Sequence, residues 1–200
     1  MIYVTSDLHL NHKNIIAYSN RPFNSLAEMN EGLIKEWNRK VKPQDIIIHI
    51  GDFFFGSDVE LLDLFGKLNG QIKLISGNHD EKLFERVFWN LEKYNLSSNA
   101  KKNLIYRTFP EERAVIYDQE KKRRITLLRD IYEFSYKGEI IVMSHYPIES
   151  WHWMMKKNTI HFHGHCHGKL GRTLPRRLDI GWDVHHSILS LDEAIEKAKN

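Results

Sequence analysis

Side chains that can bind metal ions follow several of the short hydrophobic segments of this 200-residue sequence. Aspartate, asparagine and histidine supply carboxylate oxygen, amide oxygen and imidazole nitrogen, which are ligand atoms suited to Mn, Fe, Zn or Ni. The single cysteine, Cys166, excludes a thiolate zinc site, because such a site needs several cysteines. The polar residues that follow predicted strands are Asp7, His9, Asp52, Asn78, His79, His145, His165 and His167.

Histidines are concentrated in one short segment, since four of the 12 in the sequence lie between His161 and His167. Alternate side chains of an extended chain share a face, so Asp7-x-His9 and His165-x-His167 can each present two ligands together. His161 and His163 lie on the same predicted strand. We expect these two to be core residues or hydrogen-bond partners of ligands rather than a separate metal site.

The elements that must position these side chains alternate between strand and helix in the first half of the sequence. Capping boxes at Ser25–Glu28 and Ser190–Glu193 predict two helices, the first ending near Val41, and a third is predicted over residues 58–68. Neighbouring parallel strands bring their carboxyl ends together, so the polar residues should converge in one crevice. The predicted strands are residues 2–5, 46–50, 72–75, 114–117, 124–128, 139–143 and 159–162.

The composition is that of a folded domain. With 42% hydrophobic and 28% charged residues, the sequence can bury a core, which excludes intrinsic disorder. No apolar segment is long enough to span a bilayer and the N-terminus lacks signal-peptide features, so we expect a cytoplasmic protein with no membrane association. The net charge of +3 falls short of a general nucleic-acid-binding surface.

The order of the polar motifs resembles that of the calcineurin-like metallophosphoesterases, from the first strand to about residue 185. Two additional segments, Asn20-Arg21-Pro22-Phe23 with Met29 and residues 179–183, resemble the small stand-alone bacterial and phage members. The five motifs that carry the resemblance are Asp7-x-His9, Gly51-Asp52, Gly77-Asn78-His79-Asp80, Ser144-His145-Tyr146-Pro147 and Gly164-His165-Cys166-His167.

The resemblance implies an α/β fold, a four-layer αββα sandwich of two mixed β-sheets flanked by helices, with residues 1–200 forming a single domain. It also implies two bound divalent metal ions, Mn in the first place and Fe, Zn or Ni as alternatives. Asp52 would bridge the two ions. One ion would be held by Asp7, His9, Asp52 and His167, and the other by Asp52, Asn78, His145 and His165.

Four further residues receive roles from the resemblance and from their chemistry. His79 would be the catalytic histidine that faces the scissile phosphate, and Asp80 would orient it. His12 and Arg21 follow the first motif, and an arginine there could pair with a substrate phosphate through two hydrogen bonds. The family often has aspartate at the position of Phe55.

The predicted activity is hydrolysis of phosphate monoesters or diesters by a hydroxide that bridges the two metal ions. A chain of this length leaves little beyond the core, so a small phosphodiester or nucleotide is the favoured substrate. One alternative is a nuclease or nucleic-acid end-processing phosphatase that uses the basic turn from Lys121 to Arg124. Another is a metal-binding scaffold without catalytic activity.

Overall fold

The β-branched segments of the sequence form two mixed β-sheets in the computed structural model, which describes residues 1–89, 104–109, 112–118, 121–171 and 174–200. The strands are β1 (Ile2–Thr5), β2 (Ile46–Ile50), β3 (Gln71–Ile75), β4 (Leu104–Phe109), β5 (Glu112–Asp118), β6 (Arg123–Leu127), β7 (Ile131–Tyr136), β8 (Glu139–Ser144), β9 (Thr159–His163), β10 (Arg177–Asp179) and β11 (Leu189–Ser190). The larger sheet has the order β11-β1-β2-β3-β6-β5-β4, and the smaller has the order β10-β9-β8-β7.

The strands that lead into the polar motifs run parallel to one another. In the larger sheet, β1 pairs with β2, β2 with β3 and β3 with β6 in parallel. In the smaller sheet, β8 pairs with β9 and β9 with β10 in parallel. The carboxyl ends of the parallel strands in each sheet therefore lie at one edge, where the loops that follow them can meet.

Helices cover the outer face of the larger sheet, and the smaller sheet packs on its inner face. The helices are α1 (Ile15–Tyr18), α2 (Leu26–Lys40), α3 (Asp58–Lys67), α4 (Glu81–Trp89), α5 (Trp182–His185) and α6 (Leu191–Lys199). Trp37, Phe65 and Phe84 of α2, α3 and α4 belong to one hydrophobic cluster, and the second cluster joins Ile50 and Phe162 of the two sheets. This arrangement confirms the predicted sandwich of two mixed sheets with flanking helices.

Capping hydrogen bonds between serine side chains and backbone amides define the N-terminal ends of helices α2 and α6. Ser25 caps α2 by accepting a hydrogen bond from the Glu28 amide at 3.2 Å, but the Glu28 carboxylate accepts from the Asn24 amide at 2.8 Å, one residue before the cap. The predicted capping box of α2 is therefore only half formed. The box of α6 is complete between Ser190 and Glu193. Within the described ranges, no helix is both long and apolar enough to span a bilayer.

Candidate metal centre

Loops from both sheets meet at the carboxyl ends of the parallel strands. The Asp7 amide donates to the Gly51 carbonyl at 3.0 Å and the His9 amide donates to the Asp52 carbonyl at 2.9 Å, which ties the loop after β1 to the loop after β2. The His165 amide, in the loop after β9, donates to the Asp7 carboxylate at 3.0 Å. Three of the predicted motifs are thus joined by hydrogen bonds that backbone amides donate.

Several of these residues have a backbone conformation that is unfavourable for side chains other than glycine. The φ angles are positive, in the left-handed region, which costs free energy that the surrounding structure must offset. Five of the seven predicted metal ligands have this conformation, namely Asp7 (φ 55°), His9 (47°), Asp52 (54°), His165 (69°) and His167 (48°). Strain of this kind clusters at functional sites, where it serves to direct side chains.

Two motif glycines allow the loops to approach the candidate ligands closely. A Cβ atom at Gly164 would lie 2.0 Å from the Ser6 Oγ and 2.3 Å from the Asp7 Oδ2. At Gly51, where φ is +84°, it would lie 2.4 Å from the His145 Nδ1. Glycine is required at both positions because any side chain would displace a candidate ligand.

Asp7, His9 and His167 form the first group, in which one potential ligand atom from each residue lies within 4.8 Å of the others. Both ring nitrogens of His9 are buried and have no hydrogen-bond partner. Burial and the nearby His167 lower the pKa of His9 far below the ordinary histidine value, so the ring is neutral. A buried, neutral imidazole without a partner, beside carboxylates, fits a ligand of a cation.

Asp52, His145 and His165 form the second group, again with ligand atoms within 4.8 Å. The His145 Nδ1 lies 2.9 Å from the Ile50 carbonyl, and since a carbonyl only accepts, Nδ1 carries the proton. Burial lowers the pKa of His145, so the ring is neutral, and its unprotonated Nε2 lies 3.1 Å from the Asn78 Oδ1 and 3.6 Å from the Asp52 Oδ1. These three facing acceptors also fit a cation.

The Asp52 carboxylate belongs to the second group and also faces the first. Its Oδ2 is 3.6 Å from the His9 Nε2, and its Oδ1 is 3.6 Å from the His145 Nε2. Burial and the charge of Asp52 raise the pKa of Asp7 well above its usual range, which shows how costly two buried carboxylates are here without a positive partner. The residues of both groups therefore fit bound divalent cations.

His79 faces the open side of the two groups. Its Nε2 is 3.9 Å from the Asp52 Oδ2, and 46% of its side chain is exposed. The Phe55 ring lies 4.9 Å from the His79 ring and stacks on His12 at 4.0 Å with an interplanar angle of 10°. His12 is half-buried in this aromatic group.

Asp80 has a different place from the one predicted. Its buried carboxylate accepts hydrogen bonds from the Phe53 amide at 2.5 Å and the Gly77 amide at 2.6 Å. Burial raises the pKa of Asp80 well above its ordinary value. Asp80 thus joins the loops after β2 and β3, and the aromatic ring of Phe55, not this carboxylate, contacts the His79 imidazole.

Arg21 also differs from its predicted place at the mouth of the site. Its guanidinium is buried and binds Asp183 through Nε at 2.7 Å and Nη2 at 2.8 Å. It also donates to the carbonyls of Leu8 at 2.7 Å and Asp7 at 2.6 Å. The guanidinium donors that were expected to bind a substrate phosphate bind acceptors within the protein instead.

Asp183 is a site residue that the motif analysis did not assign. Its Oδ2 accepts from the His167 Nδ1 at 2.6 Å. Burial would raise the pKa of Asp183, but hydrogen bonds from His167 and Arg21 outweigh burial and lower it. The available signal was the resemblance of residues 179–183 to the small family members, which pointed to this segment without giving a role.

His161 and His163 are core residues, as predicted. The His161 Nδ1 donates to the Val142 carbonyl at 3.1 Å, and its Nε2 accepts from the Ile148 amide at 3.0 Å. Burial lowers the pKa of His161 to about 4, so this ring is neutral at pH 7. His163 is also buried and donates to the Gly164 carbonyl at 2.9 Å.

The basic turn before β6 lies at the opposite edge of the larger sheet. The Arg124 amide donates at 2.7 Å to the side chain of Gln71, the first residue of β3, whereas the last residue of β3 leads into the motif of Asn78. The Arg123 guanidinium is buried and binds Asp118 at 3.1 Å, as well as the carbonyls of Phe65 and Leu68. The predicted nucleic-acid contact at this turn is thus remote from the candidate centre.

A cleft of about 360 Å³ opens beside the second group. Its wall includes the candidate ligands Asn78 and His145, and Tyr146, which is 50% exposed. Ile131 and Ile148 contribute apolar surface and Glu81 a carboxylate. The volume is within the range of small-molecule sites, which is about 300 to 1,000 Å³.

Comparison with known proteins places this geometry in a family. The family model described as calcineurin-like phosphoesterase matches residues 1–169. An uncharacterised protein of Methanocaldococcus jannaschii is 44% identical over 49% of this chain, and the match spans 58% of that protein. The gene 66 protein of Mycobacterium phage D29 is 24% identical, with 98% of this chain and 94% of the phage protein covered.

A solved structure has the same overall fold. The crystal structure of a protein of unknown function from Aquifex aeolicus superposes with a TM-score of 0.60 at 20% sequence identity. The superposition covers 98% of each chain. At this identity the likeness concerns the fold alone.

Proposed function

The chain belongs to the calcineurin-like phosphoesterase family, whose activity is metal-dependent hydrolysis of phosphoesters, and on that premise we propose that it uses two divalent metal ions. The observation that carries this proposal is the place of Asp52, which has one carboxylate oxygen 3.6 Å from His9 in the first group and the other 3.6 Å from His145 in the second. A carboxylate in that place suits two cations that share it.

The proposed ligand sets follow the two groups. Asn78 joins the second set because its Oδ1 faces the unprotonated His145 Nε2 at 3.1 Å. Imidazole nitrogen and carboxylate or amide oxygen suit Mn, Fe, Zn or Ni, and the family resemblance puts Mn first. The first ion would be held by Asp7, His9, Asp52 and His167, and the second by Asp52, Asn78, His145 and His165.

The chemistry divides between the ions and the protein. Two divalent ions bound there would supply Lewis acidity toward a phosphoryl group and would lower the pKa of a water molecule. His79 lies on the exposed side of Asp52, where its imidazole can donate a proton to the departing alkoxide. The Phe55 ring packs against the His79 ring at 4.9 Å, tilted by 40°, and limits the directions in which the His79 ring can turn.

We favour a small phosphodiester or a nucleotide as the substrate. The cleft beside Asn78 and His145 is large enough for a leaving group of that size, and its walls of Tyr146, Ile131 and Ile148 suit a partly apolar group. The nuclease alternative would use the basic turn from Lys121 to Arg124. That turn lies at the sheet edge opposite the candidate centre, which favours a small substrate over a polynucleotide.

The proposed activity requires the whole chain as a single domain of residues 1–200. The family match ends at residue 169, but helix α6 buries Ala194 and Ile195 in the cluster that joins the two sheets. Asp183, which binds the proposed ligand His167, also lies beyond the matched residues. The segment after residue 169 thus contributes to both the core and the site.

A substrate panel tests the proposal. Protein stripped with a chelator is reloaded with Mn, Fe, Zn, Ni or Mg and assayed on p-nitrophenyl phosphate, bis-p-nitrophenyl phosphate, 2′,3′-cyclic nucleotides and oligonucleotides. We expect no activity without metal, and hydrolysis of at least one small ester with Mn. Metal-loaded protein that is inactive on the entire panel would contradict the proposed function and support a non-catalytic metal-binding scaffold.

A further inference from the structure

We propose that Arg21 and Asp183 form a positioning pair that fixes His167 and the loop of Asp7 around the first metal ion. This inference rests on the proposed function, because it concerns a ligand set of that function. It gives a joint role to the two segments, residues 20–23 and residues 179–183, that resemble the small family members but contain none of the proposed ligands.

The contact between the two residues is buried and joins two guanidinium nitrogens to the two carboxylate oxygens. The Arg21 Nε and Nη2 bind separate Asp183 oxygens at 2.7 and 2.8 Å, although the residues are 162 positions apart in the sequence. The side chains are 0% and 4% exposed. A planar guanidinium bound through two parallel hydrogen bonds holds a carboxylate in one orientation, which a lysine could not do.

The pair acts on the metal site through Asp183. The Asp183 Oδ2 accepts from the His167 Nδ1 at 2.6 Å, so Nδ1 carries the proton and Nε2 keeps its lone pair for a metal ion. A carboxylate that receives the second N–H of a ligating histidine also makes that imidazole a stronger ligand.

The same guanidinium reaches the other ligands of the first ion through the main chain. It donates to the Asp7 carbonyl at 2.6 Å and the Leu8 carbonyl at 2.7 Å, and these carbonyls flank the turn that leads to His9. Asp7 and His9 both have left-handed backbone, which the hydrogen bonds from Arg21 help to hold. One side chain thus links His167 to the loop that carries Asp7 and His9.

The remaining motif residues enclose the pair. The Arg21 guanidinium lies over the Trp182 ring at 5.2 Å. The Phe23 ring stacks on the Trp182 ring at 5.8 Å. The Met29 Sδ lies 3.6 Å from the Arg21 Nη1. The aromatic and thioether groups exclude water from the ion pair, which strengthens its hydrogen bonds.

Metal titration of three variants tests the proposal. Asp183→Asn keeps the shape of the side chain and removes its charge, and Arg21→Lys keeps the charge and removes the planar fork. The control is Asp118→Asn, which breaks a second buried pair, with Arg123, at the opposite sheet edge. Binding of Mn²⁺ to each protein is followed by equilibrium dialysis with elemental analysis, and unfolding of the metal-free proteins is measured by circular dichroism.

We expect wild-type protein and Asp118→Asn to bind two ions, even if Asp118→Asn unfolds at a lower temperature. In Asp183→Asn and Arg21→Lys one ion should bind about 10- to 100-fold more weakly while the other binds as in the wild type. Two ions bound with wild-type affinities by both variants would overturn the proposal and leave the proposed function intact. Wild-type protein that binds no metal would overturn both.

The protonation of the His167 ring can also be measured directly in the wild-type protein. In Zn-loaded protein, ¹⁵N–¹H correlation spectra of the histidine rings report which nitrogen carries the proton. We expect His167 to have a protonated Nδ1 and a metal-bound Nε2. A metal-bound Nδ1 would contradict the role of Asp183.

Discussion

The two oxygens of Asp52 face different partners, which gives this one residue a role that the other candidate ligands do not share. Two divalent ions a few ångströms apart repel each other strongly, and a carboxylate between them offsets that repulsion. The His79 amide also donates to the Asp52 Oδ1 at 3.1 Å, so the proposed bridging residue and the proposed acid are linked through the main chain of His79.

The role of His79 leads to the first prediction. His79→Ala should lower turnover by roughly 10²- to 10⁴-fold, the usual contribution of a general acid, while both metal ions stay bound. His152→Ala is the control, because that exposed histidine bonds to Glu133 and belongs to neither ligand group. The kinetic assay measures turnover, and elemental analysis measures the bound metal. Loss of metal from His79→Ala would count against the role of His79 as a general acid.

The sequence predicted the residues of the site better than their partners. Every predicted ligand lies in or beside one of the two groups, because motif spacing after strands determines which side chains reach the edge of the sheets. The partners of Arg21 and Asp80 were not predictable from local sequence. Arg21 meets an aspartate 162 positions away, and Asp80 binds the backbone of another loop.

At the scale of elements, close approach of the loop after β9 to the loop after β1 forms the first ligand group. Gly164→Ala should weaken metal binding and activity, because the new methyl group would lie 2.3 Å from the Asp7 Oδ2. Gly66→Ala in α3 is a matched control, since a Cβ there has no atom within 4 Å and alanine favours the helix. Equal metal affinity in the two variants would refute this account of Gly164.

Strand β9 also makes stability dependent on pH. The pKa of His161 is about 4 in the folded protein and that of an exposed histidine is about 6.5. The unfolded chain therefore binds a proton that the folded state excludes. This contribution to stability is fully present above about pH 6.5 and is lost as the pH falls toward 4.

The contribution of His161 to this loss is about 3 kcal/mol for the complete shift and about 2 kcal/mol between pH 7 and 4.5, since one pKa unit corresponds to about 1.4 kcal/mol. Urea unfolding of metal-free protein between pH 7 and 4.5 measures it. His161→Gln should be less stable than the wild type at pH 7 and should lose less stability on acidification. A variant with the same pH dependence as the wild type would show that His161 is not the responsible group.

The elements with strong local signals were predictable from the sequence. The predicted strands at residues 2–5 and 46–50 have the observed bounds of β1 and β2. Strand β7 was not predicted, because it is an edge strand with alternating exposed and half-buried residues and lacks a continuous apolar signal. Strand β7 is stabilised by antiparallel pairing with β8, a tertiary contact that the local sequence does not indicate.

At the scale of the whole molecule, the basic turn is remote from the candidate centre, because β6 runs parallel to β3 and begins at the edge away from the candidate ligands. Lys122→Asn removes an exposed charge from this turn and preserves its left-handed backbone, which asparagine tolerates. We expect unchanged kcat/KM on small esters and a weak dependence of KM on salt. A steep loss of affinity with salt that the variant reduces would instead indicate a polyanionic substrate at this turn.

The order of the strands was not predictable from the local sequence. The sequence predicted parallel strands in the first half and further strands in the second, but not that β6, β5 and β4 extend the larger sheet while β7 to β10 form the smaller. That division depends on which faces bury Ile50 and Phe162 against each other. It also determines that both sheets contribute candidate ligands to the same site.

The central claim is that two metal ions share Asp52, and diffraction at the Mn absorption edge from crystals grown with Mn²⁺ tests it most directly. We predict two anomalous peaks about 3.5 to 4 Å apart, one on each side of the Asp52 carboxylate. The first should lie beside Asp7, His9 and His167, and the second beside Asn78, His145 and His165. A single peak, or peaks away from Asp52, would contradict the account.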